Sequence, residues 1–560
     1  MSTVTSWVPL AAVLTPLVGI VAIIASRRRP DVREGATILT AGATVLLVGS
    51  MVPTVLAGGL PTTTLGAYVP GVTFVLQADP LGMIFGLLAS FLWLVTSFYS
   101  IGYMRGLDEH SQTRYFAAFA GSIASAVGVA FAANLIVLYV FYELLTVATY
   151  PLVAHDETAE ARTAGRKYLA YTFGGGVAAL AGTALVAMTT GTVAFTPGGI
   201  PELASVDPLV GKAAFGLLAG GFGVKAALMP VHSWLPDAMV APTPVSGLLH
   251  AVAVVKSGVF AVSRVVLDVY GPVQMSEWGL GLPLAIVAAA TILIASVIAL
   301  RQDNLKRRLA YSTISQLSYI ILGLALLSPA AMVGGLLHIP AHAFMKLTLF
   351  FAAGAIHVET HVDDISDMVG IGRRMPVTMA AFGIASVGMA GLPLVAGFVS
   401  KWYLLIGSLT AGQTVFLLVL LASGLLNVAY FWPIVYQAFF QTPADVDRKP
   451  VIENPFGGTP TRADGGQQNG DYAVDRNPSD VDLDGAEDLT EEPSAHEGHH
   501  GAPPGGWEWH PFGTESTWFM LGPILVTAAG AIVLGIDPQG AIFLELIFDV
   551  VDNVTGVVVG

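Results

Sequence analysis

The chain has no cysteine and few charged residues, and both absences exclude broad classes of protein. Without cysteine there is no disulfide bond, no thiolate metal site and no iron–sulfur cluster in this chain. Only 11% of the 560 residues are charged, whereas 54% are apolar and the mean hydropathy is +0.70. This composition argues against a soluble globular protein. It predicts contact with a lipid bilayer and no nucleic-acid partner.

The apolar residues form long uninterrupted runs, and the alternating pattern of a membrane β-barrel is missing. A helix needs about 20 apolar residues to cross a hydrocarbon core of about 30 Å. The runs therefore predict an all-α polytopic membrane protein with about fourteen transmembrane helices, near residues 7–25, 35–57, 80–103, 114–133, 135–154, 166–190, 212–232, 241–268, 279–300, 307–328, 332–357, 376–406, 413–440 and 516–536.

The basic residues predict the orientation of these helices, because short cytoplasmic loops are rich in Lys and Arg. With the N-terminus outside, fifteen basic residues fall in short inward loops, and the outward loops hold Lys212 and Arg264. We therefore expect a cell-membrane protein with both termini outside. The first helix is followed by Arg27, Arg28 and Arg29, which indicates a permanent span and not a cleaved signal. Four lysines remain inside predicted spans: Lys225, Lys256, Lys346 and Lys401.

Glu143 lies in the middle of the fifth span, far from either end of an apolar run. A lone buried carboxylate either becomes neutral or needs a cationic partner. The structural alternative is a protonated glutamic acid that is hydrogen-bonded to a neighbour. Because ionisable groups inside membranes are usually functional, we predict a functional role for Glu143.

The seventh span contains Lys225 and His232, and Pro230 lies between them. Proline removes a backbone donor and crowds the preceding turn, so we expect this helix to open and to expose carbonyl groups. The twelfth span has a similar interruption, Gly391-Leu-Pro393, followed by Lys401. Two interrupted helices in corresponding places are typical of an inverted repeat.

The repeat predicts two inverted five-helix units, spans 4–8 and 9–13, with broken helices 7 and 12. The domain boundaries that follow are N-terminal helices, a first half, a second half, an acidic loop and a last helix with its tail: 1–111, 112–270, 271–440, 441–514 and 515–560.

Histidines accompany the lysines of the eighth and eleventh spans. His250 and Lys256 are six residues apart, which places them on different sides of one helix. His338, His342 and Lys346, continuing to His357, fall within an arc of about 100° at helical periodicity. Histidine changes charge near neutral pH, so this strip favours a proton relay over a zinc site, for which no third ligand is present.

Three further patterns have a structural interpretation. Asp79 precedes the third span, where a carboxylate caps a helix, and we favour that role. Gly174, Gly175 and Gly176 predict close helix packing. A polar stripe in the tenth span either bonds its neighbours or lines a channel, and both interpretations stay open: Ser312, Ser315, Gln316 and Tyr319.

Residues 441–514 differ from the rest of the chain, with fifteen Asp and Glu against four Lys and Arg. We expect a loosely ordered cytoplasmic loop, and a solvated tract is favoured over a metal site at His496, His499 and His500. The glycine of a phosphate-binding loop is missing before Lys256, because position 250 is His. We therefore predict no nucleotide-driven motor, no cofactor and no enzymatic activity.

Several stretches together resemble the antiporter-like family shared by Mrp-type multisubunit sodium/proton antiporters and the proton-pumping membrane subunits of respiratory complex I. They cover spans 3 to 12 and include Phe-Tyr-Glu143-Leu-Leu-Thr, Gly-Val-Lys225-Ala-Ala-Leu-Met-Pro, Ala-Pro-Thr-Pro-Val-Ser-Gly-Leu-Leu-His250, Asp-Asn-Leu-Lys306-Arg-Arg-Leu-Ala-Tyr-Ser, His342-Ala-Phe-Met-Lys346 and Gly-Leu-Pro-Leu-Val-Ala-Gly-Phe-Val-Ser-Lys401-Trp.

The resemblance implies fourteen helices with two inverted units. It also implies that Glu143 pairs with Lys225, that His250 and Lys256 link the halves, and that Lys401 serves the second half-channel. One complex I subunit class has a glutamate at the last position, so the D subunit of an Mrp antiporter is the most similar member. The partners implied are other membrane subunits, protons and Na⁺.

The residues themselves predict a proton path in the membrane plane, from Glu143 through Lys225, past His232 and His250, to Lys256, then His338, His342 and Lys346, and finally Lys401. No cluster of carboxylates that would strip Na⁺ of water is evident in the sequence. Two alternatives are a membrane subunit of a redox-driven proton pump and a structural subunit without transport.

Overall fold

A computed structural model describes residues 2–441, 507–540 and 542–558. Within these ranges eleven helices are long and apolar enough to cross a membrane. The polytopic helical fold is thus confirmed, but the count of fourteen spans is not. Predicted span 7 is a helix that ends early at Lys225, span 10 begins with three basic residues, and span 12 is a pair of short helices.

The N-terminal part contains two long helices and a small sheet that the sequence analysis missed. The sheet has the order β1-β2-β3, with β1 parallel to β2 and β2 antiparallel to β3. Pro70 and Gly71 form the two-residue turn between β2 and β3, and Gly71 has φ +81°. The elements are β1 Ser2–Thr5, α1 Val8–Ala25, α2 Pro30–Ser50, α3 Val52–Leu56, β2 Gly59–Val69 and β3 Val72–Gln77.

The next part corresponds to predicted spans 3 to 8. Its last span is continuous in the chain but changes between α-helical and wider π-helical turns at Leu248–Val252 and Val265–Tyr270. Short 3₁₀ turns lie at Pro201–Ser205 and Ala238–Val240. The α-helices are α4 Pro80–Gly106, α5 Gln112–Phe131, α6 Leu135–Val153, α7 Ala159–Thr190, α8 Pro208–Lys225, α9 Trp234–Asp237, α10 Thr243–Gly247, α11 Val254–Arg264 and α12 Gly271–Glu277.

The part that follows corresponds to predicted spans 9 to 13. Two 3₁₀ turns, Ile365–Asp367 and Ile371–Arg373, connect its third and fourth α-helices. Proline often occupies the first turn of these helices, where its missing N–H group would have no helical acceptor. The α-helices are α13 Gly281–Leu300, α14 Leu305–Ala325, α15 Pro329–Thr360, α16 Pro376–Ala390, α17 Ala396–Thr410 and α18 Thr414–Phe440.

Two helices complete the described chain, α19 Trp518–Ile536 and α20 Phe543–Thr555. The predicted acidic loop 441–514 falls mainly on residues 442–506, which lie outside the described residues together with His496, His499 and His500. Trp507, just before α19, is buried, and its indole N–H donates to the carbonyl of Val369 at 2.9 Å.

α15 is the centre of the fold. Its most apolar stretch is wholly buried, as is that of the span Thr243–Glu277, whereas only a third of the corresponding stretches of α1 and α18 is buried. α15 packs against α10, α14, α16, α17 and α19. The ionisable strip of α15 therefore lies in the protein interior, and the peripheral helices present apolar side chains outward, as a bilayer requires.

Candidate functional site

The strip on α15 forms as predicted. His338, His342 and Lys346 lie in one helix, and each side chain is fully buried. The ring centroids of His338 and His342 are 6.0 Å apart. Pro340 lies between the two histidines without ending the helix. The helix thus holds three ionisable groups in a row inside the protein.

Lys256 of α11 joins this strip from the side. Its Nζ lies 3.0 Å from Nδ1 of His342 and donates to the carbonyl of Ile339 at 3.1 Å. Lys256 is fully buried, and no carboxylate forms an ion pair with it among the described residues. The contact is a direct hydrogen bond between a lysine amine and an imidazole, which is a chemically competent route for a proton.

His338 connects the strip to α14 and α17. Its Nδ1 lies 2.8 Å from Oγ of Ser400, and its Nε2 lies 2.9 Å from Oε1 of Gln316. Because the amide oxygen of Gln316 can only accept, Nε2 carries the proton and Nδ1 accepts from the Ser400 hydroxyl. Ser400 directly precedes Lys401, so the hydrogen-bonded chain ends beside the last predicted lysine.

Lys401 lies at the break between α16 and α17. Its Nζ donates to the carbonyl of Met389 at 2.6 Å, in the last turn of α16, where carbonyl groups have no helical donor. Gly391 and Leu394 in the break have φ values of +90° and +74°. The predicted interruption of span 12 is therefore present, and the lysine bonds a carbonyl that the interruption exposes.

A cavity borders Lys401. It has a volume of about 450 Å³, and its lining includes Tyr319, Gly391, Lys401 and Trp402 beside several leucines. The Nζ atom of Lys401 lies 5.0 Å from the ring centroid of Tyr319. The same tyrosine ring stacks on His338 at 5.5 Å between centroids. Tyr319 thus stands between the end of the histidine strip and Lys401.

Lys346 bonds the polar stripe of α14. Its Nζ donates to Oγ of Ser312 at 2.6 Å and to the carbonyl of Leu309 at 3.1 Å. Ser315 of the same stripe lies 3.0 Å from the hydroxyl of Ser296, and Gln316 binds His338 as described above. The stripe therefore bonds neighbouring helices, and it does so with the ionisable residues of α15.

Lys225 lies at the last position of α8, and the chain runs through turns from there to α9. Its Nζ donates to the carbonyl of Tyr142 and lies 3.4 Å from the centroid of that ring. No ion pair between Lys225 and Glu143 is present among the described residues, so the pairing that the resemblance implies is not seen. The break itself lies where it was predicted, although the helix ends five residues before Pro230.

Glu143 faces the glycine tract of α7. Both carboxylate oxygens are buried and have no hydrogen-bond partner in the described part of the chain. A Cβ atom at Gly176 would overlap Oε1 of Glu143, whereas Gly175 packs against Gly221 and Val224 of α8. The glycine tract therefore does more than bring two helices together, because Gly176 makes the space that the Glu143 carboxyl group occupies.

His232 and His250 are less closely connected. His232 lies half-buried in the turns after α8, and its ring centroid is 6.4 Å from that of Tyr311. His250 is fully buried in the π-helical segment Leu248–Val252, with its ring 4.8 Å from that of Phe350. Neither nitrogen of His250 has a hydrogen-bond partner in the described residues. π-helical turns within α-helices often mark functional sites.

The two halves of the predicted path meet through the backbone. Gly258 of α11 packs against the backbone of Lys225 and Ala226, and a Cβ atom there would overlap the nitrogen of Ala226. Among the described residues no hydrogen bond joins the side chains of Lys225 and Lys256. The structure therefore gathers Lys256, the α15 strip and Lys401 into one network and leaves Lys225 and Glu143 beside it.

The sequence analysis missed one buried charge cluster. Arg264 was assigned to an outward loop, but it lies at the end of α11 with its side chain 2% exposed. It donates to both oxygens of Asp79, at 2.5 and 2.6 Å, and to Asp268 at 2.8 Å. Asp79 also accepts from the backbone N–H of Gly82, so its predicted capping role is correct but incomplete. The (i, i+4) spacing of Arg264 and Asp268 was a usable signal.

Residues 132–426 match the sequence family described as NADH:quinone oxidoreductase/Mrp antiporter, TM. The chain belongs to this family. The match covers more than half of the chain and includes every predicted path residue from Glu143 to Lys401. The resemblance inferred from the sequence motifs is thereby confirmed.

Relatives within the family have different activities in their names. Over 370 residues the chain is 36% identical to NADH-quinone oxidoreductase subunit N of Desulforudis audaxviator, covering 65% of this chain and 73% of that one. Over 369 residues it is 36% identical to a Na(+)/H(+) antiporter subunit of Alkalihalophilus pseudofirmus, covering 61% of this chain and 44% of the relative. The chain thus spans less than half of that longer antiporter protein.

A solved structure shows the same fold. The Mrp complex from Dietzia sp. DQ12-45-1b contains a chain with a TM-score of 0.77 and 21% identity, and the match covers 98% of this chain and 97% of that chain. At this identity the likeness shows the fold alone. The protein is therefore a multi-pass membrane protein with the fold of a subunit from a multisubunit membrane complex.

Proposed function

We propose that the protein is the proton-translocating subunit of a multisubunit monovalent cation/proton antiporter of the Mrp type, with Na⁺ as the cation. It is then part of a secondary transporter and not an enzyme. It would work in the cell membrane with other membrane subunits. The proposal follows from family membership together with a set of buried ionisable residues that a scaffold does not need.

One observation carries the proposal. Lys256, His342, His338 and Ser400 form a buried series between α11 and α17, with hydrogen bonds of 3.0 Å at the first end and 2.8 Å at the last. The two histidine rings between them are 6.0 Å apart, a gap that a small side-chain rotation or one water molecule spans. A proton can therefore pass along this series in the membrane plane.

The lysine contacts suit transfer better than storage of charge. Lys225, Lys346 and Lys401 donate to carbonyl or hydroxyl oxygens, and Lys256 donates to a carbonyl and an imidazole. None of these acceptors is a carboxylate, so none fixes a permanent positive charge on the amine. Each lysine is thus placed where it can take up a proton and pass it on.

Glu143 and Lys225 are proposed to act as the switch of the first half. Tyr142, next to Glu143 in the chain, holds the Lys225 amine through its carbonyl and its ring. A rotation of either side chain about its own bonds brings a carboxylate and an amine on adjoining helices together. Such an arrangement has two discrete states, bonded to Tyr142 or paired with Glu143, as a gated proton step requires.

His232 and His250 are proposed to accompany the switch, because both lie near interrupted helical turns and retain ring nitrogens without a partner among the described residues. Lys401 supports the antiporter over the redox pump, since a similar complex I subunit class has a glutamate at that position. The redox alternative is favoured by one observation, the 36% identity to a NADH-quinone oxidoreductase subunit.

The test uses the complex purified with its partner subunits and reconstituted in vesicles. Na⁺-dependent pH change should be abolished by Lys225→Ala and by Glu143→Gln while assembly stays intact. Lys212→Ala is the matched control, because Lys212 is an exposed lysine on the same helix, α8. Normal transport in both path variants would contradict the assignment, and flavin or iron–sulfur subunits in the purified complex would favour the redox pump.

A further inference from the structure

A second cluster of ionisable residues lies outside the proposed path, where the loops after α4 and α6 meet. It consists of Glu109, His110 and His155, and the candidate ligand atoms of these residues lie within 4.8 Å of one another. The ring centroids of His110 and His155 are 4.8 Å apart. Arg105 and Arg114 flank the first loop, so the cluster lies on the side predicted to be cytoplasmic.

His155 is the buried member of the cluster. Its side chain is 0% exposed, and neither ring nitrogen has a hydrogen-bond partner among the described residues. Its Nε2 lies 3.8 Å from Oε2 of Glu109, which is too far for a hydrogen bond and points the nitrogen at the carboxylate. Buried polar groups without a partner are rare and costly in free energy. The geometry therefore indicates a ligand between His155 and Glu109.

His110 is oriented by the same loop. Its Nε2 lies 3.1 Å from the carbonyl of His155, and a carbonyl can only accept, so Nε2 carries the proton. Nδ1 then has a lone pair, and it lies 3.6 Å from Oε2 of Glu109. Metal-binding histidines commonly have this arrangement, in which one nitrogen donates to a carbonyl and the other faces the ion.

We propose that Glu109, His110 and His155 bind a single Zn²⁺ ion or a similar borderline divalent transition-metal ion. Two imidazoles and one carboxylate are a donor set that zinc accepts, with water at the fourth position. Mg²⁺ and Ca²⁺ prefer oxygen ligands and do not match it. The residues belong to different loops, so the ion would fasten the α4–α5 connection to the end of α6.

The distances are close to those that zinc needs. Bonds of about 2.0–2.2 Å in a tetrahedral site place ligand atoms roughly 3.4 Å apart. The present separations are at most 4.8 Å, so the ligands must approach by about 1 Å. Glu109 and His110 can make this movement, because their side chains are 20% and 49% exposed, whereas His155 is fixed by burial. The site is thus one rigid ligand with two adjustable ones.

The experiment uses the full chain in its purified complex, stripped of metal by a chelator, and ZnCl₂ as the probe. His496, His499 and His500 could bind zinc independently, so all three are replaced by alanine in the parent protein. Calorimetric titration of this parent should give one zinc per chain. Co²⁺ in place of zinc should give the visible absorption of a tetrahedral nitrogen–oxygen site.

His110→Ala and Glu109→Gln should each weaken zinc binding at least tenfold and abolish the cobalt spectrum. Both side chains are partly exposed, so these variants should fold, and the thermal midpoint without metal tests this. Glu157→Gln is the matched control, because Glu157 is an exposed carboxylate two residues from His155 that pairs with Arg114. Binding that is absent from the parent, or unchanged in both ligand variants, would overturn the proposal.

Discussion

The Nζ atom of Lys256 lies 3.0 Å from Nδ1 of His342 and joins α11 to α15 in the centre of the protein. The two residues are 86 positions apart in the chain. Their contact is the one direct side-chain link between the eighth and eleventh predicted spans that the proposed path requires. It makes the path testable by paired substitution.

Lys256→Ala and His342→Ala should each lower Na⁺-dependent proton transport on the order of a hundredfold, because each removes a proton carrier from one series. The double variant should be no slower than the slower single variant, since two breaks in one series have the effect of one. Transport is measured with a pH-sensitive dye in vesicles that contain the whole complex. Losses that multiply in the double variant would indicate two separate routes.

Ser400→Ala should slow transport because it removes the hydroxyl that donates to Nδ1 of His338 beside Lys401. Ser408→Ala is a matched control on the same helix, since the Ser408 hydroxyl donates to the carbonyl of Leu404 in its own helix. We expect a loss of about tenfold or more in the first variant and none in the second. Equal rates in the two variants would remove Ser400 from the path.

Gly176→Ala should destabilise the protein and impair transport, because the new Cβ atom overlaps the carboxyl group of Glu143. Overpacking of this kind costs about 1–3 kcal/mol. Gly174→Ala meets no atom within 4 Å, so it should be neutral or should stabilise α7 by about 0.5–1 kcal/mol. The thermal midpoint of the detergent-solubilised complex measures both effects. A larger loss at position 174 than at position 176 would contradict the proposed role of the glycine.

Local features of the site follow from the sequence because they depend on neighbours in the chain. Helical periodicity places His338, His342 and Lys346 on one face, and glycine and proline predict the breaks beside Lys225 and Lys401. The small sheet could also have been predicted, since Pro70-Gly71 lies between two runs rich in β-branched residues. Its strands were overlooked because the surrounding apolar runs dominate the composition.

Contacts between distant segments did not follow from the sequence. Ser400 and Gln316 bond His338 only because α14 and α17 pack on opposite sides of α15, and periodicity gives a face without its partner. Arg264 was placed in a loop because basic residues are usually found there. The fold places it on a buried helix between two carboxylates, where ion pairing offsets the cost of burial.

Arg264 gives the last prediction, which concerns stability. Arg264→Met leaves the carboxylates of Asp79 and Asp268 without their cation, and breaking a buried pair costs about 3–5 kcal/mol. Arg264→Lys should cost less than Arg264→Met but should not restore the parent stability, because an ammonium cannot bind both oxygens of Asp79 in a planar fork.

The control is Arg114→Ala, which breaks an exposed pair with Glu157 and should change the free energy of unfolding by about 1 kcal/mol or less. Thermal midpoints of the purified complex compare the three variants. If Arg264→Met and Arg114→Ala lower the midpoint equally, the buried cluster does not stabilise the fold. If Arg264→Met alone lowers it, the cluster fastens the end of α11 to the start of α4, and Lys256 on the same helix is held opposite His342 as a consequence.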